Sequence, residues 1–203
     1  MDIKLNFINR SNDNNNSEIV IFSQNVATNF EKLPVAWIVI PNCARGDNHP
    51  FVYPLSLAVG AEDAYGNYTP QLPASDGQLF AMTRTTSGDE LSLAGRSSSA
   101  EEVQVENRLQ EGAINALVYK DGRIFAAKTG VAPGQVASFR FEPKIWIGAA
   151  SQATPGQLLN TAIMSSIKTE ISLLGLTSAD IVMTGGGAGP DAQPFEFHLE
   201  NAV

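Results

Sequence analysis

Apolar and polar residues alternate with a period of two along much of this chain. The runs "GQLFAMTRT", "DELSLAG" and "EEVQVEN" each set apolar side chains on one face and polar ones on the other, as half-buried strands do. "IKLNF" and "EIVIF" are rich in β-branched and aromatic residues. "VAWIVI" is a continuous apolar run and reads as a buried strand. "FVYPLSLAV" carries Pro54 inside it, which predicts an edge strand or a bulge. In "INALVYKDGRIFAAK", Asp121-Gly122 stands between two alternating runs, the pattern of a type I′ hairpin. "QVASFRFEPKIWIG", "EISLLGL", "DIVMTG" and "PFEFHLE" continue the series. Turn dipeptides such as Gly66-Asn67, Asp76-Gly77, Pro133-Gly134 and Pro155-Gly156 punctuate it. Many short strands so spaced predict an all-β fold, a mainly antiparallel β-sandwich, as a single domain over residues 1–203.

One segment departs from this period. Leu159, Ile163, Ile167, Ile171 and Leu174 form a stripe at helical spacing, yet the same residues also fit a strand face. At most one helix is expected, near residues 157–174. A faint internal repeat is also present. Residues 19–38 and 124–147 both run from a strand to a Pro-x-x-Trp-Ile end. This alignment matches Val26 with Val131, Ala27 with Ala132, Phe30 with Phe141, Pro34 with Pro143 and Trp37 with Trp146. It predicts two pseudo-repeated β-units in one core, with the two tryptophans in equivalent places.

The polar run "NRSNDNNNSE" lies between "IKLNF" and "EIVIF". Asn and Asp bond their own backbone two residues on and tolerate left-handed conformations, so the run suits a long hairpin tip. A cation site of Asp13, Asn15 and Glu18 is the functional alternative, but the glycine of a calcium loop is missing. "INRSNDNNNSEIVIF", "HPFVYPLSLAV", "YGNYTPQL" and "SADIVMTGGGAGP" together resemble an uncharacterised family of small microbial proteins. That resemblance implies one unit over most of the chain and no particular activity.

Composition narrows the function classes. With 13 basic and 21 acidic residues, the net charge of −8 repels phosphate backbones, so nucleic acid is not an expected partner. The single cysteine cannot form an internal disulfide. "MDIKLNFIN" lacks the pattern of a secretory signal and no apolar run reaches the length of a membrane helix, which gives a cytoplasmic expectation, with leaderless export or release on lysis left open.

Few residues offer chemistry. Cys43 and His49 in "IPNCARGDNHPF" are the candidate nucleophile and base, though their spacing along a loop does not bring them together. His198 in "FEFHLE" falls on the polar face of its strand, near Glu196 and Glu200. These three residues are all the soft ligands in the chain, so no metal and no cofactor is expected. "TGGGAGPD" lacks the Lys-Ser/Thr of a phosphate loop and reads as a connector. In "EDAYGNYTPQL", Tyr65 and Tyr68 flank a turn with Asp63 and Asn67. Tyrosine rings there can stack on a sugar while the polar groups bond its hydroxyls. The expected ligand-binding set is therefore Asp63, Tyr65, Asn67 and Tyr68.

Three functions follow. The first is a non-enzymatic β-sandwich protein that binds a ligand, carbohydrate foremost, or assembles with itself. The second is a membrane-active pore-former using residues 161–184, where "AIMSSIKTEISLL" and "LTSADIVMT" approach the length of a spanning hairpin. The third is a cysteine-dependent enzyme at Cys43 and His49. The first is the expected function, with no catalytic residues.

Overall fold

The computed structural model describes residues 2–27 and 34–203. Among them are sixteen strands. The first eight are β1 (Ile3–Asn9), β2 (Glu18–Phe22), β3 (Ile38–Ile40), β4 (Asn48–Tyr53), β5 (Leu57–Glu62), β6 (Leu72–Ala74), β7 (Gln78–Thr85) and β8 (Gly88–Arg96). The second eight are β9 (Val103–Asn107), β10 (Ile114–Lys120), β11 (Arg123–Val131), β12 (Val136–Phe139), β13 (Lys144–Ala150), β14 (Thr169–Ser172), β15 (Ser178–Gly186) and β16 (Gln193–Glu200). One short helix, α1 (Thr161–Ser166), and a 3-10 turn at Gly189–Asp191 complete the elements. The fold is all-β, as the period-two pattern predicts. No helix among the described residues is long and apolar enough to cross a membrane.

The chain divides into two compact units. Unit 1 is Met1–Ser23, Val35–Leu55 and Pro143–Val203; unit 2 is Gln24–Pro34 and Ser56–Glu142. Unit 1 contains two four-stranded sheets, ordered β16-β15-β1-β4 and β14-β13-β2-β3. Only β1 and β15 pair in parallel; the other pairs in these sheets are antiparallel. In β1 every second residue points inward, burying Ile3, Leu5 and Phe7. Ile19, Ile21, Ile145, Ile147 and Ile181 are buried with them. Trp37, wholly buried, meets Phe51 and Tyr53 in T-shaped contacts at 6.2 and 5.7 Å between ring centres.

Unit 2 has the same plan. Its sheets are β11-β10-β5-β6 and β12-β9-β7-β8, and only β7 and β9 pair in parallel. Phe80, Met82, Val103, Val105, Val118, Phe125 and Phe139 fill its core. Asp121 and Gly122 carry φ of 51° and 69° in the β10–β11 turn, the double left-handed geometry of type I′.

Each strand pair of unit 2 has a counterpart of the same orientation in unit 1 when β1–β8 are matched in order with β9–β16. The chain is thus an internal repeat of eight strands, and each unit takes four strands from either half. The joints agree residue by residue. Arg10 and Arg108 donate from their backbone N–H to Met183 and Met82, each at 2.9 Å. Gly46 and Gly134 donate to the carbonyls of Asn9 and Asn107, each at 2.7 Å.

This repeat differs from the one the tryptophans predict. Trp37 immediately precedes β3, and its counterpart is the equally buried Phe125, which lies inside β11 at the register shift of the β10–β11 ladder. Trp146 lies within β13, half-buried and stacked on Phe22 at 6.3 Å. Its counterpart on β5 is Ala58. Phe30, matched above with Phe141, lies outside the described residues.

Three local expectations also change. β1 and β2 belong to different sheets, so the Asn-rich run is a crossover and not a hairpin tip. Pro54 sits between β4 and β5, again in different sheets, and interrupts neither. The ambiguous stripe divides: Ile163 is in α1, Ile167 caps it in extended conformation, and Ile171 is in β14. Asn160 starts α1 by accepting the N–H of Ile163 at 2.8 Å. The hydroxyls of Ser165 and Ser166 turn back to the carbonyls of Ala162 and Ile163, bonds that compete with helix continuation. The segment around α1 packs on β2 and β13 through Val20, Phe22, Ala36, Leu159 and Ile167. β14 and β15, the two arms of the envisaged membrane hairpin, lie in different sheets of unit 1.

Candidate functional site

The connection from β5 to β6 carries the tyrosine pair. Asp63 organises it. Its Oδ1 accepts the N–H groups of Tyr65 at 2.8 Å and Asn67 at 2.9 Å, and its Oδ2 accepts the side-chain amide of Asn67 at 2.9 Å. These bonds to the ionised form, that from the Asn67 amide foremost, hold the Asp63 carboxyl below its usual range. Gly66, at φ 81°, closes the turn. Asp63 is therefore a structural member of the set, while the rings it positions face outward: Tyr65 is 85% exposed and Tyr68 60%.

Tyr68 is tied down at its other end. Glu62, which also accepts the amide of Asn115 at 2.8 Å, hydrogen-bonds the Tyr68 hydroxyl and raises its pKa. A backbone bridge joins Glu62 and Tyr68. The hydroxyl of Thr69 accepts the N–H of Ala61 at 2.9 Å, so the return limb of the loop lies along β5.

A groove of about 650 Å³ opens beside this loop. Asp63 and Asn67 form one wall, and Arg84, Thr85, Ser87 and Asp89 of the β7–β8 turn form the other. Arg84 pairs with Asp89 through two hydrogen bonds, which neutralises both charges and holds the turn. The second wall is absent from the sequence-derived set. Its signal, "TTSGDE", was visible only as a turn, because nothing in the spacing tells that this turn lies against the loop of Asn67.

The other candidates are placed as follows. Cys43 and His49 line one hollow of about 370 Å³ with Asp47, but among the described residues no hydrogen bond joins them. Burial, and next the Asp47 carboxylate, push the Cys43 thiol up, away from an activated thiolate. Asp13 is occupied by its own loop, accepting the N–H groups of Asn15 at 2.9 Å and Ser17 at 2.7 Å. His198 lies on the exposed side of β16, 3.3 Å from Glu200. Among the described residues no group of three or more His, Cys, Asp or Glu could hold a metal ion. The glycine run lets backbones meet: Gly185 has φ of 84°, and a Cβ there would collide with the carbonyl oxygen of Pro194.

No protein-family model, curated protein or solved structure matches the chain.

Proposed function

We propose that this protein is a non-enzymatic binding module that takes a carbohydrate at the β5–β6 loop of unit 2. The observation that carries this reading is the exposure of Tyr65 and Tyr68 on a loop fixed from within, beside a polar groove of ligand size. A pyranose ring has an apolar face of C–H groups and a rim of hydroxyls. The tyrosine rings offer flat apolar surface for the first. Asn67, Thr85 and Ser87 offer neutral donors and acceptors for the second. The pairing of Arg84 with Asp89 leaves no strong unpaired cation in the wall, which favours a neutral sugar over an acidic one. Because Asp63 fixes the loop before a ligand arrives, little ordering entropy remains to be lost on binding.

A glycan array probed with the full chain tests the reading. The expected result is binding of neutral glycans that Tyr65→Ala/Tyr68→Ala removes while thermal stability is kept. Equal binding by the parent and the double variant would overturn it.

A second reading, self-association, draws on β8. It is a nine-residue strand at the edge of its sheet, and Leu93 on it is 57% exposed. Light scattering after size exclusion decides it. Leu93→Lys is expected to convert an oligomer to a monomer, and a monomeric parent would remove the reading.

A further inference from the structure

Unit 1 has a hollow at the position that the groove beside the tyrosine loop holds in unit 2; neither Tyr65 nor Tyr68 lines that groove. The groove is bounded by the β5–β6 and β7–β8 connections. The hollow is bounded by the connection from β13 to β14, the counterpart of β5–β6, and by Phe195 near the start of β16, the counterpart of β8. The β1–β2 crossover supplies its remaining wall.

Its volume is about 580 Å³, inside the roughly 300–1,000 Å³ range of small-ligand sites. The lining divides by chemistry. Ala149, Ala162 and Phe195 give apolar surface, and Asn16, Gln152 and Ser166 give neutral hydrogen-bonding groups. No lining residue is Lys or Arg. The one acid, Glu18, is engaged through Oε2 with the N–H of Ala153 at 2.9 Å.

We infer that this hollow is a second carbohydrate site, which makes the chain bivalent. The inference rests on the carbohydrate reading of the tyrosine loop and the groove beside it. A neutral hexose unit presents its C–H face to Phe195 and Ala149 and its hydroxyls to Asn16, Gln152 and Ser166. The α1 segment, longer than its counterpart in unit 2, gives this site a different wall and hence its own preference among sugars. Two sites on one chain bridge two separate glycans.

Trp146 reports on the hollow. Its ring belongs to the cluster that includes Ala150 and Ile163, both of which line the space. Trp37 is wholly buried among Phe51 and Tyr53. Sugar entry is therefore expected to change the emission of Trp146 and leave that of Trp37 alone.

The test is calorimetry and tryptophan emission with cellotetraose, chitotetraose and mannotetraose. The proteins are the full chain, Tyr65→Ala/Tyr68→Ala, and Ser166→Phe, which fills the hollow from the exposed side of α1. The expected result is two sites per chain. One of them survives in the tyrosine variant with its emission change, and Ser166→Phe weakens that one at least about tenfold. If Ser166→Phe fails to fold, the emission change in the tyrosine variant carries the test alone. A single site that the tyrosine variant abolishes, with no emission change, overturns the second site and leaves the groove reading intact. A single site kept by the tyrosine variant and lost in Ser166→Phe upholds the hollow and overturns the groove. No binding of any probe at millimolar concentration overturns both.

Discussion

Asn9 and Asn107 hold equivalent joints in the two halves of the repeat, each donating its side-chain amide to the backbone at the start of the loop or strand end that follows the second hairpin partner. Asn9 bonds the carbonyl of Cys43 at 2.6 Å, and Asn107 bonds that of Val131 at 2.8 Å. Each also accepts the N–H two residues on, from Ser11 at 2.9 Å and from Leu109 at 3.0 Å. Each makes a third bond: Asn107 donates to the carbonyl of Gly112 at 2.9 Å, and Asn9 accepts the hydroxyl of Ser11 at 2.7 Å. Both side chains are buried. Truncation leaves these backbone groups without a partner away from water. Asn107→Ala and Asn9→Ala are each expected to cost about 2–4 kcal/mol. Denaturant melts measure the totals. Hydrogen exchange locates them, with Asn107→Ala loosening β9 and Asn9→Ala loosening β1.

Tyr53 sets the alkaline limit of unit 1. Burial beside Trp37 pushes its pKa up to about 12 from an ordinary value of about 10. Between these values the folded state keeps a proton that the unfolded chain releases. The stabilisation is therefore full below about pH 10 and is lost as pH rises through about 12. The loss amounts to about 2–3 kcal/mol. Tyr53→Phe carries no such proton, so its stability relative to the parent rises across that window. Urea melts at pH 9 and pH 11.5 measure the difference, and parallel losses in both proteins would refute it.

Cys43 is expected to behave as an ordinary, slow thiol. Its environment raises the cost of the thiolate by burial and by the Asp47 carboxylate. Labelling by a disulfide reagent at pH 7 should run slower than for a free cysteine. Asp47→Asn removes the charge while keeping an acceptor for the N–H of Ala44, now bonded at 3.1 Å. That variant should label faster at the same pH. Fast labelling of the parent would point instead to an activated site with His49.

The strands were legible because one face of each is buried, which imposes the period of two that "EEVQVEN" and "GQLFAMTRT" display. The Asp121-Gly122 hairpin was legible because its backbone angles demand those residues. Pairings between distant segments were not. Lys4 lies beside Ser178 in a parallel ladder, and no local signal marks such a partner. Adjacency along the chain suggested instead that β1 and β2 pair. The repeat that the tryptophans predict is out of alignment with the real one, because the true correspondences are small hydrogen-bonded joints and not bulky side chains. Asn9-Arg10 matches Asn107-Arg108, and Met82-Thr83 matches Met183-Thr184, across connections of unequal length. Of the candidate site, the exposed tyrosines were legible from their turn. The opposing wall of Arg84 and Asp89 required the fold.

The repeat makes a last prediction about the covalent chain itself. A cut in the β8–β9 connection, between Ser97 and Glu102, yields two fragments of eight strands each. Neither unit belongs to one fragment. Unit 1 joins β1 with β15 and β2 with β13; unit 2 joins β5 with β10 and β7 with β9. Every sheet therefore keeps a central ladder made across the cut, together with the buried face behind it. At the matching place in unit 1, Val203 exchanges backbone bonds with Ser178 at 2.9 and 3.2 Å, and Lys4 donates to Thr177 at 3.0 Å, so the segments flanking β1 and β16 hold to the same turn. A protease site placed at Ser98–Ser99 and cleaved in the folded protein should leave one species on size exclusion, with both fragments on a denaturing gel. Its melting temperature should fall, because the cut restores the loop-closure entropy of joining two chains. Separation of the fragments under native conditions would show that the ladders across the cut do not hold the halves together.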